Sequence, residues 1–349
     1  MISKTLNYEK YLMTDPEYLG KHLLVAGVDP NYASTYGNGA IRYITNNYSN
    51  ATNDLSSKYY LYGDASGGMA SEYYAASSSV ISDLNSGYGL ANYTAHCSYQ
   101  GWADPNVVIS DLVSVNNYGK YGLWIGNCCE SVRFENSECF GEAVLRLADR
   151  GAIGYIGGSD NTLWDEDYWW QIGLSSNISA YPTYEETETG AYDGAFHNKI
   201  NEIDNFSKWY TSQGQINVCG NLAVQSSTSS YRDYYWEIYH LMGDPSLMPY
   251  LKIPTNISAS VNPTNLILGI NQITVTTEAR AYVALSQNNE LIIAAFADEN
   301  GIAVLNFSSA DLNIGDALIV VTAQNKIPFI ETKTVVPAEE PYILSLIHI

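Results

Sequence analysis

The sequence predicts an α/β domain with a largely parallel sheet, followed by an all-β domain. In the first 250 residues, short apolar runs of strand length alternate with segments of helical period, which favours parallel strands covered by helices on their faces. After Pro254 no helical period appears and short alternating segments follow one another. The chain has 349 residues, of which 46% are hydrophobic, so two domains with sizeable cores are expected.

Each predicted element of the first domain is identified by its length and by the residues that end it. Strands need only four to eight apolar residues, whereas an amphipathic helix needs a longer run of period 3.6. Gly151 fits the stop of the second helix. We predict strands at 23–27, 89–94, 123–127 and 152–156, and helices at 37–48 and 139–150.

The second domain has the strand spacing of a small β-sandwich of the Ig-like kind. Turn residues such as Asn288 and Asn289 separate its segments. The predicted strands are 273–275, 281–285, 291–296, 302–307 and 317–322. We place the first domain at 1–252, with its N-terminal part missing, and the sandwich at 253–338. The tail at 339–349 follows without turn residues and is expected to be an artefact.

The charge balance excludes several kinds of partner. Acidic residues outnumber basic ones 37 to 16, which gives a formal charge of −21. A field of this sign repels nucleic acid and anionic membrane surfaces. No apolar run reaches the roughly 18 residues that a transmembrane helix requires, and the first 20 residues contain no signal-peptide core.

The five cysteines do not form a recognisable framework. Their odd number leaves at least one thiol free, and no spacing indicates a metal site. The neighbours Cys128 and Cys129 are poor candidates for a mutual bridge, so a disulfide-stapled scaffold is not expected. Cys139 and Cys219 are predicted to be small core residues.

Three residues of complementary chemistry each follow a predicted strand. Asp29, His96 and Cys129 come soon after the strands at 23–27, 89–94 and 123–127. The carboxyl ends of parallel strands meet at one edge of a sheet, so the three side chains are expected on the same rim. A thiol, an imidazole and a carboxylate together are the groups that nucleophilic catalysis requires.

Three segments resemble the gingipain-type cysteine peptidases. LANYTAHCSYQGW at 90–102 is similar to their histidine loop, ECFGEAVLRLADRGAIGYIGGSDNTLW at 138–164 to their helix–strand–tryptophan segment, and YWEIYHLMGDPSLMPYL at 235–251 to the end of their catalytic domain. The resemblance implies a caspase-like fold with His96 as the catalytic imidazole and Asp29 as its carboxylate partner. It also implies that Trp164 forms a wall of the primary specificity pocket.

The resemblance leaves two candidates for the nucleophile. Counting back from the helix that follows favours Cys128, whereas counting forward from His96 and the strand register favour Cys129. We favour Cys129 and keep Cys128 as the alternative. Relatives have glycines on both sides of the histidine, where this chain has Ala95 and Cys97, and the backbone N–H of Cys97 is the expected donor of the oxyanion hole.

The acidic residues after Trp164 are open to more than one interpretation. Asp165 and Asp167 are candidates to receive a basic substrate side chain, but a solvated acidic loop or a calcium site is an equal alternative. No cofactor is required by the predicted chemistry, structural calcium being the exception. The sequence alone does not assign a preference for arginine or lysine.

The sequence therefore predicts a secreted or cell-surface cysteine endopeptidase that acts on proteins or peptides. Attachment to the cell surface would use a C-terminal region outside this sequence. Two alternatives remain at this stage: a sortase-like transpeptidase that processes substrates of type IX secretion, and an inactive peptidase-fold adhesin or binding protein. The changed neighbours of His96 motivate the inactive alternative.

Overall fold

The structure is a computed structural model that describes residues 2–63, 73–197, 199 and 210–338. The tail predicted at 339–349 lies outside these residues. The chain divides into two compact units, Met1–Ile253 and Pro254–Ile349.

The first unit is built on a six-stranded sheet with the strand order β2-β1-β3-β7-β8-β9. All neighbours are parallel except β9, which runs antiparallel to β8. A second, three-stranded sheet consists of β4, β5 and β6. The strands are β1 (Lys21–Ala26), β2 (Ser56–Tyr60), β3 (Leu90–Thr94), β4 (Cys97–Ser98), β5 (Gly101–Trp102), β6 (Val107–Val108), β7 (Leu123–Asn127), β8 (Gly154–Gly158) and β9 (Tyr239–Gly243).

Helices surround this sheet. The α-helices of the described residues are α1 (Ile2–Glu9), α2 (Tyr36–Asn47), α3 (Tyr73–Ser86), α4 (Phe140–Arg146), α5 (Trp164–Ile172), α6 (Ala191–Phe196), α7 (Gln213–Gln225) and α8 (Arg232–Ile238). Short 3₁₀ segments occur at Pro16–Gly20, Ala51–Asn53, Ile109–Ser114 and Tyr184–Glu186. No helix in the described ranges is long and apolar enough to cross a membrane.

Both faces of the sheet are buried, which explains why its strands read as continuous apolar runs. Leu23 and Val25 of β1 belong to one hydrophobic cluster together with residues of α3 and α4. Leu24 and Ala26 belong to a second cluster, which includes residues of α2, α5, α7 and α8. Alternate side chains of a strand point to opposite faces, so β1 lies between two layers of helices. The predicted α/β architecture with a largely parallel sheet is confirmed.

The predicted helix at 139–150 is shorter in the structure. It begins at Phe140 and ends at Arg146, because Leu147 leaves the helical region with ψ near 124°. Asp149 and Gly151 then adopt positive φ angles in the turn that leads to β8. Gly151 therefore ends a turn and not the helix itself.

The second unit is all-β. Its core joins residues from a three-stranded sheet, β11-β13-β16, and a five-stranded sheet, β12-β19-β17-β14-β15, with β10 and β18 forming a short pair. The Ig-like assignment stays a prediction. The strands are β10 (Thr255–Asn256), β11 (Ser260–Asn262), β12 (Leu266–Ile267), β13 (Gln272–Thr276), β14 (Tyr282–Gln287), β15 (Glu290–Phe296), β16 (Ile302–Asn306), β17 (Gly315–Thr322), β18 (Lys326–Ile327) and β19 (Phe329–Val336).

Candidate active site

The candidate site lies at the carboxyl edge of the six-stranded sheet. Thr94, the last residue of β3, pairs in register with Ala26 of β1 on one side and with Asn127 of β7 on the other. His96 and Cys129 each lie two residues beyond this register pair, and Asp29 lies three residues beyond Ala26. The parallel register therefore brings all three chain segments to one edge.

Asp29 and His96 are joined by a hydrogen bond at this edge. The Nε2 atom of His96 lies 2.8 Å from Oδ2 of Asp29, while Oδ1 accepts hydrogen bonds from the backbone N–H groups of Asn31 and Tyr32. Partial burial alone would raise the pKa of Asp29, but the bonds from His96 and the two N–H groups outweigh it and hold the pKa below its usual value. The carboxylate is thus ionised and fixed, and it orients the imidazole.

Aromatic rings border the imidazole. The rings of His96 and Trp164 are nearly perpendicular with centroids 5.4 Å apart, and Tyr32 stacks on the same indole at 5.5 Å. Tyr36 contacts Trp164 as well and donates its hydroxyl to Asp165 at 2.7 Å. The His96 side chain keeps 49% of its surface exposed, so one side of the ring faces solvent, where a substrate can approach.

The thiol of Cys129 is partly buried against Thr162. Its Sγ accepts the backbone N–H of Thr162 at 3.3 Å and lies 3.7 Å from the hydroxyl oxygen Oγ1. Burial raises the pKa of the Cys129 thiol; the Thr162 N–H opposes this shift, and the carboxylates of Asp167 and Glu130 add to it. The resting thiol is therefore protonated, and the structure does not bring it into a hydrogen bond with His96.

Asp167 is a buried carboxylate directly behind Thr162. Its Oδ2 accepts the Thr162 hydroxyl at 2.6 Å, and its Oδ1 accepts the hydroxyls of Tyr235 and Tyr239 at 2.9 and 3.0 Å. Burial raises the pKa of Asp167 to about 7, although all three hydrogen bonds act in the opposite direction. Among the described residues, a charge on Asp167 near neutral pH thus has no cationic partner, and a basic ligand would supply one.

A disulfide joins Cys97 to Cys128, with their Cα atoms 5.4 Å apart. The alternative that Cys128 is the nucleophile is therefore wrong, because its sulfur is bonded and its side chain is fully buried. The expectation of a scaffold without a staple is wrong for the same reason. Cys139 and Cys219 are free and buried, as predicted, which leaves Cys129 as the partly exposed free thiol of the described residues.

Comparison with known proteins supplies the family. The model of peptidase family C25 matches residues 1–250. The chain belongs to peptidase family C25. Members of this family are cysteine endopeptidases that act on protein substrates.

Individual relatives of this C25 member agree with that assignment. A Lys-gingipain of Porphyromonas gingivalis is 34% identical over 338 residues, which is 95% of this chain and 18% of that protein. A gingipain R1 from the same organism is 20% identical, over 98% of this chain and 32% of its own length. The chain thus spans about a fifth of the length of the Lys-gingipains.

Solved structures match the fold. One described as the structure of a protease has a TM-score of 0.84 and 34% identity, and it covers 96% of this chain and 71% of its own. The crystal structure of the Arg-specific cysteine proteinase gingipain R has a TM-score of 0.76 at 19% identity, with the same coverage. The predicted caspase-like fold and the resemblance to gingipain-type peptidases are confirmed.

The acidic residues after Trp164 do not form a solvated loop in this C25 chain. They occupy the first turn of α5, where carboxylates interact favourably with the helix dipole. Each carboxylate has its own partner: Asp165 accepts the hydroxyl of Tyr36, and Glu166 accepts that of Ser229. Asp167 accepts the hydroxyls of Thr162, Tyr235 and Tyr239. No set of three or more His, Cys, Asp or Glu residues in the described ranges is arranged to hold a metal ion, and structural calcium stays a prediction.

Sequence reasoning missed Thr162, which connects Cys129 to the buried carboxylate of Asp167, and Tyr235 and Tyr239, which donate to that carboxylate. Tyr235 begins a segment that the resemblance had already singled out, but only as the end of the domain. Its contact with Asp167 joins residues 68 positions apart. No local sequence pattern indicates a hydrogen bond between residues that are so far apart along the chain.

Proposed function

We propose that this chain is a cysteine endopeptidase that cleaves after lysine, with Cys129 as nucleophile and His96 as general base. The observation that carries the proposal is the oriented Asp29–His96 pair on the rim where Cys129 follows the neighbouring strand. A transpeptidase would use the same thiol but would pass the acyl group to an amine. We therefore propose hydrolysis for reactions to which no amine acceptor is added.

The raised pKa of Cys129 favours proton transfer during attack over a preformed ion pair. Asp29 engages Nε2 of His96, which leaves Nδ1 to take the thiol proton. The sulfur then attacks the scissile carbonyl carbon, and the imidazolium protonates the leaving amine. Water attacks the thioester with His96 again as base, and this releases the acid product and the free thiol. Rotation of Cys129 away from Thr162 is the conformational step that this requires.

The backbone N–H of Cys97 is suited to the oxyanion hole. The N–H of Ala103 donates to the carbonyl of His96 at 3.0 Å, and Cys97 lies opposite Trp102 in the same antiparallel pair. Hydrogen-bonded and non-hydrogen-bonded pairs alternate along such strands, so the N–H of Cys97 points away from the partner strand. This orientation supports Cys97 as the donor to a tetrahedral oxyanion.

Asp167 supports lysine recognition. Asp167 lies behind Thr162, and among the described residues its carboxylate has hydrogen-bond donors but no cation, so we infer that the substrate side chain reaches it past Thr162. A long, flexible ammonium side chain can reach a recessed point charge, whereas a guanidinium prefers to engage a carboxylate with a planar fork. Two of the three hydroxyl donors occupy Oδ1 of Asp167, which leaves little room for a bidentate fork. The relative that is 34% identical is a Lys-gingipain, which agrees with this choice.

The test uses matched peptides that differ only in the residue before the scissile bond: lysine, arginine or norleucine. We expect lysine to exceed norleucine by about 10²-fold or more in kcat/KM, since a desolvated charge pair contributes several kcal/mol. An acyloxymethyl ketone carrying lysine should label Cys129, as mapped by mass spectrometry. Equal cleavage after norleucine would remove Asp167 from its proposed role.

The control variants separate chemistry from recognition. Cys129→Ala should abolish both cleavage and labelling, while Asp167→Asn should retain labelling by iodoacetamide, which has no basic side chain. Full activity in Cys129→Ala would overturn the peptidase mechanism. Secretion or display on the cell surface is part of the same proposal, supported by family membership, and fractionation of the native cells with an antibody would test it.

A further inference from the structure

The Cys97–Cys128 disulfide connects the two loops that carry the proposed catalytic pair. Cys97 directly follows His96, and Cys128 directly precedes Cys129. Consecutive Cα atoms lie about 3.8 Å apart, so this bridge restricts the Cα atoms of His96 and Cys129 to a separation of at most about 13 Å. A covalent constraint thus lies one residue from each reacting group.

Beyond the ends of β3 and β7, the loop that carries His96 and the loop that carries Cys129 are held by different parts of the chain. The His96 carbonyl accepts the hydroxyl of Tyr93 at 2.8 Å, so the first loop is held by β3, the strand that precedes it. The second loop is held by the segment after β8, because the N–H of Glu130 donates to Asp160 at 3.1 Å. The disulfide joins these two separately anchored loops directly.

The two sulfurs differ in their access to solvent. Cys128 is fully buried in the cluster that includes Val132 and Phe140, whereas Cys97 is partly exposed at its border. An attacking thiolate would reach the sulfur of Cys97 and expel the sulfur of Cys128 as a thiolate into apolar surroundings. Such a leaving group is poor, so exchange with a monothiol should be slow.

We propose that Cys97 and Cys128 are positioning residues, whose disulfide sets the spacing of His96 and Cys129 for acyl transfer. The active enzyme then contains one oxidised pair and one reduced thiol within a few residues of each other. This inference rests on the proposed peptidase function. Mild thiols would keep Cys129 reduced and leave the bridge intact. A strong dithiol would open it, as the bridge takes up two electrons and two protons while the dithiol becomes a cyclic disulfide.

The first test is the variant Cys97→Ser/Cys128→Ala, with Cys219→Ser as control because Cys219 is a buried free cysteine of α7. We expect the double variant to lose about 10- to 100-fold in kcat with KM within about twofold, since a displacement near 1 Å has effects of this size. The pH profile of Cys129 alkylation should shift in the double variant and stay unchanged in the control. A merely structural bridge would lower the melting temperature and leave kcat at 25 °C unchanged, and that result would overturn the proposal.

The second test uses the unmodified enzyme, so that it does not depend on the folding of a variant. Activity is followed in cysteine and then in increasing dithiothreitol, and samples are alkylated with light and heavy reagents before and after full reduction. We expect full activity with only Cys129 carrying the first label, then loss of activity in step with first labelling of Cys97, and recovery on reoxidation. Labelled Cys97 in fully active enzyme would contradict the proposal.

The outcomes keep this inference separate from the proposed function. If Cys129→Ala is inactive and the double variant has wild-type kcat, the peptidase mechanism stands and the positioning role fails. If Cys129→Ala remains active, the peptidase mechanism itself fails. Both comparisons use the same lysine peptide, so substrate recognition does not confuse them.

Discussion

Replacement of Asp167 by asparagine should stabilise the protein at neutral and alkaline pH while it removes lysine cleavage. The carboxylate is buried and accepts three hydroxyl hydrogen bonds, yet burial still raises its pKa to about 7. Because the folded state binds this proton more tightly than the unfolded state, its contribution to stability is complete below the unfolded pKa. It is lost as the pH rises through about 7.

The size of the effect follows from the two pKa values. The ordinary value is 3.8 and the folded value is about 7, a difference of about three units. At 1.36 kcal/mol per unit, ionisation of Asp167 costs up to about 4 kcal/mol of folding free energy at pH 8, and almost nothing at pH 4. Asparagine carries no charge at either pH, so Asp167→Asn should gain up to about 4 kcal/mol relative to the parent between pH 4 and pH 8.

The assay is urea unfolding at unit steps from pH 4 to pH 8, with every chain in a Cys129→Ala background that prevents self-cleavage. Asp29→Asn is the matched control from the same edge of the sheet. Partial burial opposes ionisation of Asp29, but its hydrogen bonds prevail and hold its pKa below the ordinary value. Asp29 therefore contributes stability above the unfolded pKa of 3.8 that is lost only as the pH falls below it, so the difference between the parent and Asp29→Asn should stay nearly constant from pH 4 to pH 8.

The deciding quantity is the difference in the free energy of unfolding between the parent and Asp167→Asn. A difference that stays constant within about 1 kcal/mol from pH 4 to pH 8 would refute the claim that Asp167 holds its proton near neutrality. A constant offset with no slope would instead reflect altered hydrogen bonding to Thr162, Tyr235 and Tyr239. Asp167→Asn with Cys129 intact should lose lysine cleavage in the peptide assay.

Three further predictions concern other parts of the first unit. Asp29→Asn should lower kcat by about 10²-fold or more with little change in KM for a lysine peptide, because His96 loses its orienting carboxylate. His22 is buried, and burial lowers its pKa to about 3. Its contribution to stability is therefore present above the unfolded pKa of 6.5 and is lost as the pH falls towards 3. In urea unfolding, His22→Leu should reduce this loss of stability in acid by up to about 5 kcal/mol. In Gly126→Ala the new Cβ would lie 1.9 Å from the hydroxyl of Tyr155, so thermal unfolding should show a loss of about 1–3 kcal/mol, and an unchanged melting temperature would contradict this packing.

The sequence predicted the larger features of the fold because they depend on local pattern. The run that became β1 is apolar at every position from 23 to 26. A continuous apolar run of this kind is typical of a strand that is buried on both faces. The alternating segments after Pro254 became the strands of the second unit, because a strand with one buried face alternates apolar and polar residues. The predicted helix at 139–150 was too long, because periodicity does not show that Leu147 leaves the helical region or that a turn with positive φ angles at Asp149 and Gly151 follows.

Part of the candidate site could also be predicted from sequence. Asp29, His96 and Cys129 follow strands, and the ends of parallel strands converge, so their meeting at one rim follows from topology. The choice between Cys128 and Cys129 could not be made this way. Neighbouring residues share one strand end, and only the direction of each side chain separates a buried bridge from a partly exposed thiol.

The sequence by itself thus determined the α/β class, the all-β second unit and the rim on which a thiol and an imidazole meet. These features rest on periodicity and on the order of strands along the chain. Only the tertiary structure decided that Cys97 pairs with Cys128 and that Asp167 lies buried behind Thr162. The physical reason is distance along the chain. A bridge across 31 residues and a hydroxyl from 68 residues away depend on how the loops and helices pack, which no local pattern records.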